Sequence, residues 1–179
     1  MPLLEVHSAT RQRQFCALPH RLHRHEPAYI GPLDNEVEAV FDPAKNQLFA
    51  AGGQAQRWLL TNGQGEVIGR IAAFVNALTA TATDATLPTG GIGFFECIDD
   101  QAAANQLFEV ACAWLRAQGM LAVDGPINFG DRDRFWACSS RVSTVSPTTG
   151  CSGTRLTTRS CLRTTGFSST LSSTPATGR

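Results

Sequence analysis

"GIGFFECIDDQAAANQLFEVACAWLRAQGMLAVDGPIN", residues Gly91–Asn128, decides how this chain folds. "GIGFFECI" is a short β-prone run, and Asp99 and Asp100 behind it are residues that cap helix starts. In "QAAANQLFEVACAWLRAQG", Ala104, Leu107, Phe108, Ala111, Trp114 and Leu115 recur at i, i+3 and i+4, which draws one apolar stripe along a helix. Gly119 is placed where helices stop, and "MLAVDGPIN" reads as another strand. Parallel strands need a crossover of about a dozen residues, usually a helix, and this stretch has that form.

Working outward, "QAQRWLLT" (Gln54–Thr61) and "EVIGRIAAFVN" (Glu66–Asn76) are strand-like runs joined by "NGQG", which carries an Asn-Gly turn signal at Asn62. A polar stretch from Thr79 to Thr89 is the expected loop to the next strand. Near the start, "LLEVHS" is β-prone. Phe15, Leu18 and Leu22 then fall at helical spacing, with Thr10 as the expected N-cap and Pro19 expected to kink or divide the helix. "DNEVEAVFDP" reads as a second short helix, capped by Asp34 or Asn35 and ended before Pro43. A hairpin beside a strand–helix–strand crossover predicts a mixed sheet with a helix packed on it, hence an α/β fold.

Composition narrows the function. The chain has 179 residues and a formal net charge of zero, but all fifteen carboxylates lie before Ala137 against ten Lys and Arg, so the body is mildly acidic. That argues against nucleic-acid binding. No run approaches the roughly 18 apolar residues that span a bilayer, and the N-terminus does not read as a secretory signal. A cytoplasmic, reducing location is therefore expected. Cys16, Cys97 and Cys112 then read as small core residues rather than disulfides. His20, His23 and His25 alternate with Arg without an acidic pair, so a solvated basic face is expected rather than a metal site. No oligomeric state is read from these residues.

Several segments carry a family resemblance: "HEPAYIGPL" (His25–Leu33), "FDPAKNQLF" (Phe41–Phe49), "GRIAAFVN" (Gly69–Asn76), "GFFECIDD" (Gly93–Asp100), "AWLRAQGM" (Ala113–Met120) and "DGPINFGDRDRFW" (Asp124–Trp136). Over roughly residues 3–136 the chain resembles uncharacterised bacterial proteins with the GNAT-type N-acetyltransferase (acyl-CoA N-acyltransferase) fold. The resemblance implies a mixed, mostly antiparallel sheet with helices on both faces and a splayed pair of parallel strands after "GIGFFECI", with acetyl-CoA or another acyl-CoA as cosubstrate and a small-molecule amine as acceptor. It places the cofactor beside Phe94, Phe95, Cys97, Asp100, Gln101 and Asn128, with no metal. Glu96 is the candidate general base, the alternative being a strand-end carboxylate that faces solvent or pairs with an Arg. Asn128 either contacts a ligand carbonyl or caps a turn. Phe94 and Phe95 should point to opposite faces of the sheet, one of them under the helix.

"CIDDQAAAN" has no Gly and no Arg where a pyrophosphate would need close backbone N–H groups. Two carboxylates there repel an anion, so CoA affinity is expected to be weak. A non-catalytic binding module on the same fold is the second reading.

Residues 137–179 differ from the rest. Nearly half are Ser or Thr, five are Arg, and none is acidic. A disordered tail or a glycosylated stalk has this composition. So does an out-of-frame reading. If one base were lost near the codons for Trp136 and Ala137, the restored frame is compatible with Gly-Leu-Leu-Val-Glu-Gly-Phe and with an end in Tyr-Gly-Phe. Residues 1–136 would then be a GNAT-like domain, C-terminally incomplete in this copy. Inserting one base after the Trp136 codon is expected to yield a chain that melts more cooperatively. Equally sharp melting of both chains would make the Ser/Thr segment a genuine terminus.

Overall fold

The computed structural model describes residues 1–78, 80, 87–127, 129 and 130. Their elements run β1 (Leu3–Glu5), α1 (Ala9–Leu22), α2 (Asp34–Phe41), α3 (Gln47–Ala50), β2 (Gln54–Thr61), β3 (Val67–Val75), β4 (Thr89–Cys97), α4 (Gln101–Ala117) and β5 (Ala122–Asp124). The five strands form one sheet in sequence order. The pairings β1–β2, β2–β3 and β3–β4 are antiparallel, and only β4–β5 is parallel. The α/β class and the mostly antiparallel mixed sheet are as the sequence predicts. The proposed tail, residues 137–179, and the boundary at 136 lie outside the described residues.

All nine residues of β3 are buried, because helices cover both of its faces. On one face Trp58, Leu60, Ile71, Ala73 and Ile92 pack against Leu107, Phe108, Ala111 and Leu115 of α4. On the other, Leu59, Val67 and Ala72 meet Phe15, Cys16 and Leu18 of α1 and Val37 of α2. The period-two alternation along β2 and β3 sends neighbouring residues to different cores. Burial, with Glu38 adding to it, pushes the Cys16 thiol up to about 12, so it stays protonated and packs as an apolar residue.

Local chemistry differs from the sequence expectations at five points. Ser8, not Thr10, caps α1, its hydroxyl accepting from the Arg11 N–H at 3.3 Å. Pro19 does not divide α1, which runs unbroken from Ala9 to Leu22. Proline cannot donate to the carbonyl four residues earlier, and Arg70 supplies that donor instead: its Nη1 lies 2.6 Å from the Phe15 carbonyl. α2 starts after Leu33 with no side-chain cap, so neither Asp34 nor Asn35 holds that place. In the hairpin the left-handed residue is Gly65, at φ +80°, rather than the Asn62-Gly63 pair. The Asn62 side chain accepts from the N–H groups of Gln64 and Glu66, and the Gly65 N–H bonds the Asn62 carbonyl, which closes a wider loop than a two-residue turn. The strand read from "MLAVDGPIN" is confined to Ala122–Asp124.

No helix among the described residues is long and apolar enough to cross a membrane. Leu107 is fully buried at the centre of the α4 core, whereas Leu121 is 61% exposed. Leu107→Ala is expected to lower stability by about 2–5 kcal/mol in urea unfolding. Leu121→Ala should change it by no more than about 0.5 kcal/mol.

Candidate functional site

β4 carries an irregularity that shapes everything around it. Its register with β3 runs Gly69–Cys97 and Arg70–Glu96, then resumes at Ala72–Gly93, so Ile71 alone faces both Phe94 and Phe95. This is a β-bulge, and Phe94 takes the extra place with φ +52°, a left-handed conformation rare for an aromatic residue. One added residue reverses the side-chain alternation beyond it. Ile92, Phe95 and Cys97 therefore all pack into the α4 core, with the Phe95 ring 4.5 Å from that of Phe108. Phe94 goes to the opposite face, its ring 5.1 Å from Phe41 and 6.1 Å from Phe15. The two phenylalanines divide between the faces as expected.

The same reversal turns Glu96 toward α1, where Arg70 lies. Arg70 is 2% exposed and Glu96 8%. Arg70 Nε stands 2.7 Å from Glu96 Oε2, a contact of charges that is off the line of a hydrogen bond. The guanidinium also lies 4.8 Å from the centre of the Phe15 ring and 6.0 Å from that of Phe94. Glu96 is thus placed as the counter-ion of a buried Arg, the alternative weighed from sequence.

Beyond the bulge β4 leads directly into α4. Asp100 is the N-cap, and its Oδ1 accepts from the N–H groups of Ala102 at 2.7 Å and Ala103 at 3.1 Å. The carboxylate occupies the donors that would otherwise face an anion. Asp99 is exposed and Asp100 alone makes the cap. Gln101 opens the helix on its exposed side, with its amide donating to Asn105 at 2.8 Å. Cys97 is drawn into the core beneath α4, so of the described residues expected to meet a cofactor it lies deepest. Along the parallel seam, Thr89, Gly90 and Gly91 pair with Ala122, Val123 and Asp124, and the Ile127 N–H still reaches the Ile92 carbonyl at 2.9 Å. Asn128 lies outside the described residues.

Three polar residues of this region escaped the sequence reading. Arg70 gave no signal beyond its place in an apolar strand. His23 was expected on a solvated basic face with His20 and His25, and the structure corrects this: His23 is 8% exposed. It is the C-cap of α1, so the chain turns back at this point and lays Tyr29 over it, ring centres 4.8 Å apart. His20 and His25 do remain on the surface. Tyr29, the single Tyr of the chain, has its hydroxyl buried without a hydrogen-bond partner among the described residues. Among those residues no group of three or more His, Cys, Asp or Glu is arranged to hold a metal ion.

No protein-family model and no solved structure matches the chain. Among curated proteins it is similar to a bacterial ceramide synthase of Caulobacter vibrioides (strain NA1000 / CB15N), with 35% identity over 128 residues that make up 72% of this chain and 33% of that protein. It is also similar to Protein YghO of Escherichia coli (strain K12), 29% identical over 119 residues, 65% of this chain and 28% of that protein. The chain thus spans about a third of the length of the curated relatives it matches.

Burial, and after it the negative charge of Glu96, push the Tyr29 hydroxyl from 10.0 up to about 12. In the folded chain tyrosinate absorbance should accordingly rise only near pH 12, and in the urea-unfolded chain near 10. Between those values the unfolded state releases its proton first, so this group's contribution to stability should fall as pH rises. A folded-state midpoint near 10 would place the hydroxyl in water.

Proposed function

We propose that the chain is part of a GNAT-type N-acyltransferase that moves an acyl group from acyl-CoA to a small-molecule amine. The observation that carries this reading is the β4–β5 seam: the one parallel pairing among the described strands, beside a bulged strand that runs straight into the N-terminus of α4. Open α/β sheets place ligands at the carboxyl ends of such strands. The described ladder to β5 runs from Thr89 to Gly91, and β3 pairs with the other edge of β4 from Gly91 through Cys97. A thioester held at this end of the strands needs a donor for its carbonyl, a role that a strand backbone N–H would fill. The amine would attack that carbon directly, and the CoA thiolate would leave. The name of the Caulobacter relative supports the reaction class, since a ceramide is an amide formed on the nitrogen of a long-chain amino alcohol.

The second reading is a non-catalytic binding module on the same fold. It is favoured by Asp100, whose carboxylate already accepts from the first free N–H groups of α4.

Asp100→Asn separates the two, because Asn caps a helix as well as Asp does but carries no charge. If acyl-CoA binds at this helix end, the variant should bind it about two- to fivefold more tightly in calorimetric titration. Neither chain binding any acyl-CoA would sink the acyltransferase reading. Tight binding that ignores the substitution would move the pyrophosphate away from α4.

A further inference from the structure

Two stacked side chains at the end of α1 bury polar atoms that their own fold does not satisfy. His23 Nε2 and the Tyr29 hydroxyl are both out of contact with solvent and without a hydrogen-bond partner among the described residues. Such groups cost free energy unless something bonds them. Gly31 keeps the space beside the hydroxyl clear, since a Cβ there would run into His20 and come within 3.1 Å of the Tyr29 oxygen.

The chemistry of the missing partner can be read from the charges. Glu26 Oε1 lies 3.2 Å from His23 Nδ1, though off the line of a hydrogen bond, and so favours the ring proton on Nδ1. Nε2 is then a lone-pair acceptor and requires a donor. Around Tyr29 the negative charges of Glu96 and Glu26 outweigh the positive charge of Arg70, which favours a cation next to the hydroxyl. A primary amine supplies both, since its ammonium form is a cation with three donor hydrogens. The same segment exposes two large apolar side chains, Ile30 at 62% and Leu33 at 61%, which fit an alkyl chain behind that head group. Access requires little. Arg24 to Ala28 are all exposed, and the bonds that shape the turn are local: Glu26 N–H to the His23 carbonyl, Tyr29 N–H to the Glu26 carbonyl.

We propose that His23 and Tyr29 bind the head of an amine-bearing amphiphile, the acyl acceptor, and that His23 Nε2 takes the proton the amine must lose. The binding half stands alone, whereas the proton transfer rests on the acyltransferase reading above. In that step the ammonium passes one proton to Nε2, and the freed nitrogen pair attacks the thioester carbon. The C–N bond forms as the C–S bond breaks. The thiolate leaves and is protonated by water, and His23 returns its proton to solvent together with the second one released from nitrogen.

Imidazole NMR of the full chain tests the site, with decylamine below its micelle-forming concentration as the probe and ethylamine and decanoate as controls. Decylamine should shift the His23 ring signals and leave those of His7 unmoved, and bind at least about tenfold more tightly than ethylamine. Tyr29→Phe should weaken it about tenfold. An unmoved His23, or an equal response to decanoate, would overturn the site. Decylamine binding without amide formation from any acyl-CoA would sink the acyltransferase reading and leave the amine site standing. Amide formation that survives His23→Gln undiminished would remove the proton-accepting role and leave acyl transfer.

Discussion

The carbonyl of Phe15 is the point on which the architecture turns. Pro19 cannot donate to it, and Arg70 does so from the central strand β3. That hydrogen bond brings a guanidinium into the interior between α1 and the sheet, and a buried charge is tolerated only beside a counter-charge. Glu96 supplies it from β4 at 2.7 Å. Glu96 faces that way only because the bulge at Phe94 reverses the alternation of β4. A proline in a helix, an arginine in a strand and a left-handed phenylalanine are therefore one arrangement, in which each oddity answers another.

The ring of Phe15 lies at the centre of it, with Arg70 at 4.8 Å and Arg57 at 5.3 Å from its centroid. Arg57 is neutralised in turn by Glu38 of α2, whose carboxylate its Nη1 meets at 2.6 Å. The hydrogen bond from Arg70 to the Phe15 carbonyl thus ties α1, and the half-buried Arg57–Glu38 pair ties α2, to one face of the sheet, while the α4 face packs through its apolar residues. The division has a functional side. The polar groups of the proposed acceptor site collect on the ion-paired face, and the proposed acyl-CoA edge of β4 runs along the border between the two cores.

Asp100 shows how one residue can serve stability against binding. As N-cap it satisfies two N–H groups of α4, a contribution of about 1 kcal/mol. The same carboxylate fills the positive end of the helix dipole, where an anionic ligand would be most welcome. A glycine-rich loop in this position would reverse both effects.

The amino-acid sequence by itself determined the elements whose signals are local and periodic. The stripe from Ala104 to Leu115 placed α4, the alternation of two runs about Asn62–Gly65 placed the hairpin, and together they implied the parallel crossover. Opposite faces for Phe94 and Phe95 were legible from the same period of two. Tertiary structure decided what has no local period. Ser8 rather than Thr10 caps α1 because the helix begins two residues earlier than a cap at Thr10 would have it. Pro19 stays inside α1 because a side chain 51 positions away completes its hydrogen bonding. Glu96 meets Arg70 because one extra residue in β4 exchanges the faces of the sheet. His23 is buried because the turn after α1 folds the chain's single tyrosine onto it. The Arg70 and Glu96 contacts join residues far apart in the chain or turn on a one-residue change of register. The Ser8 cap and the His23–Tyr29 stack depend on where a helix starts and how the chain turns after it, and none of these leaves a mark on the hydrophobic pattern.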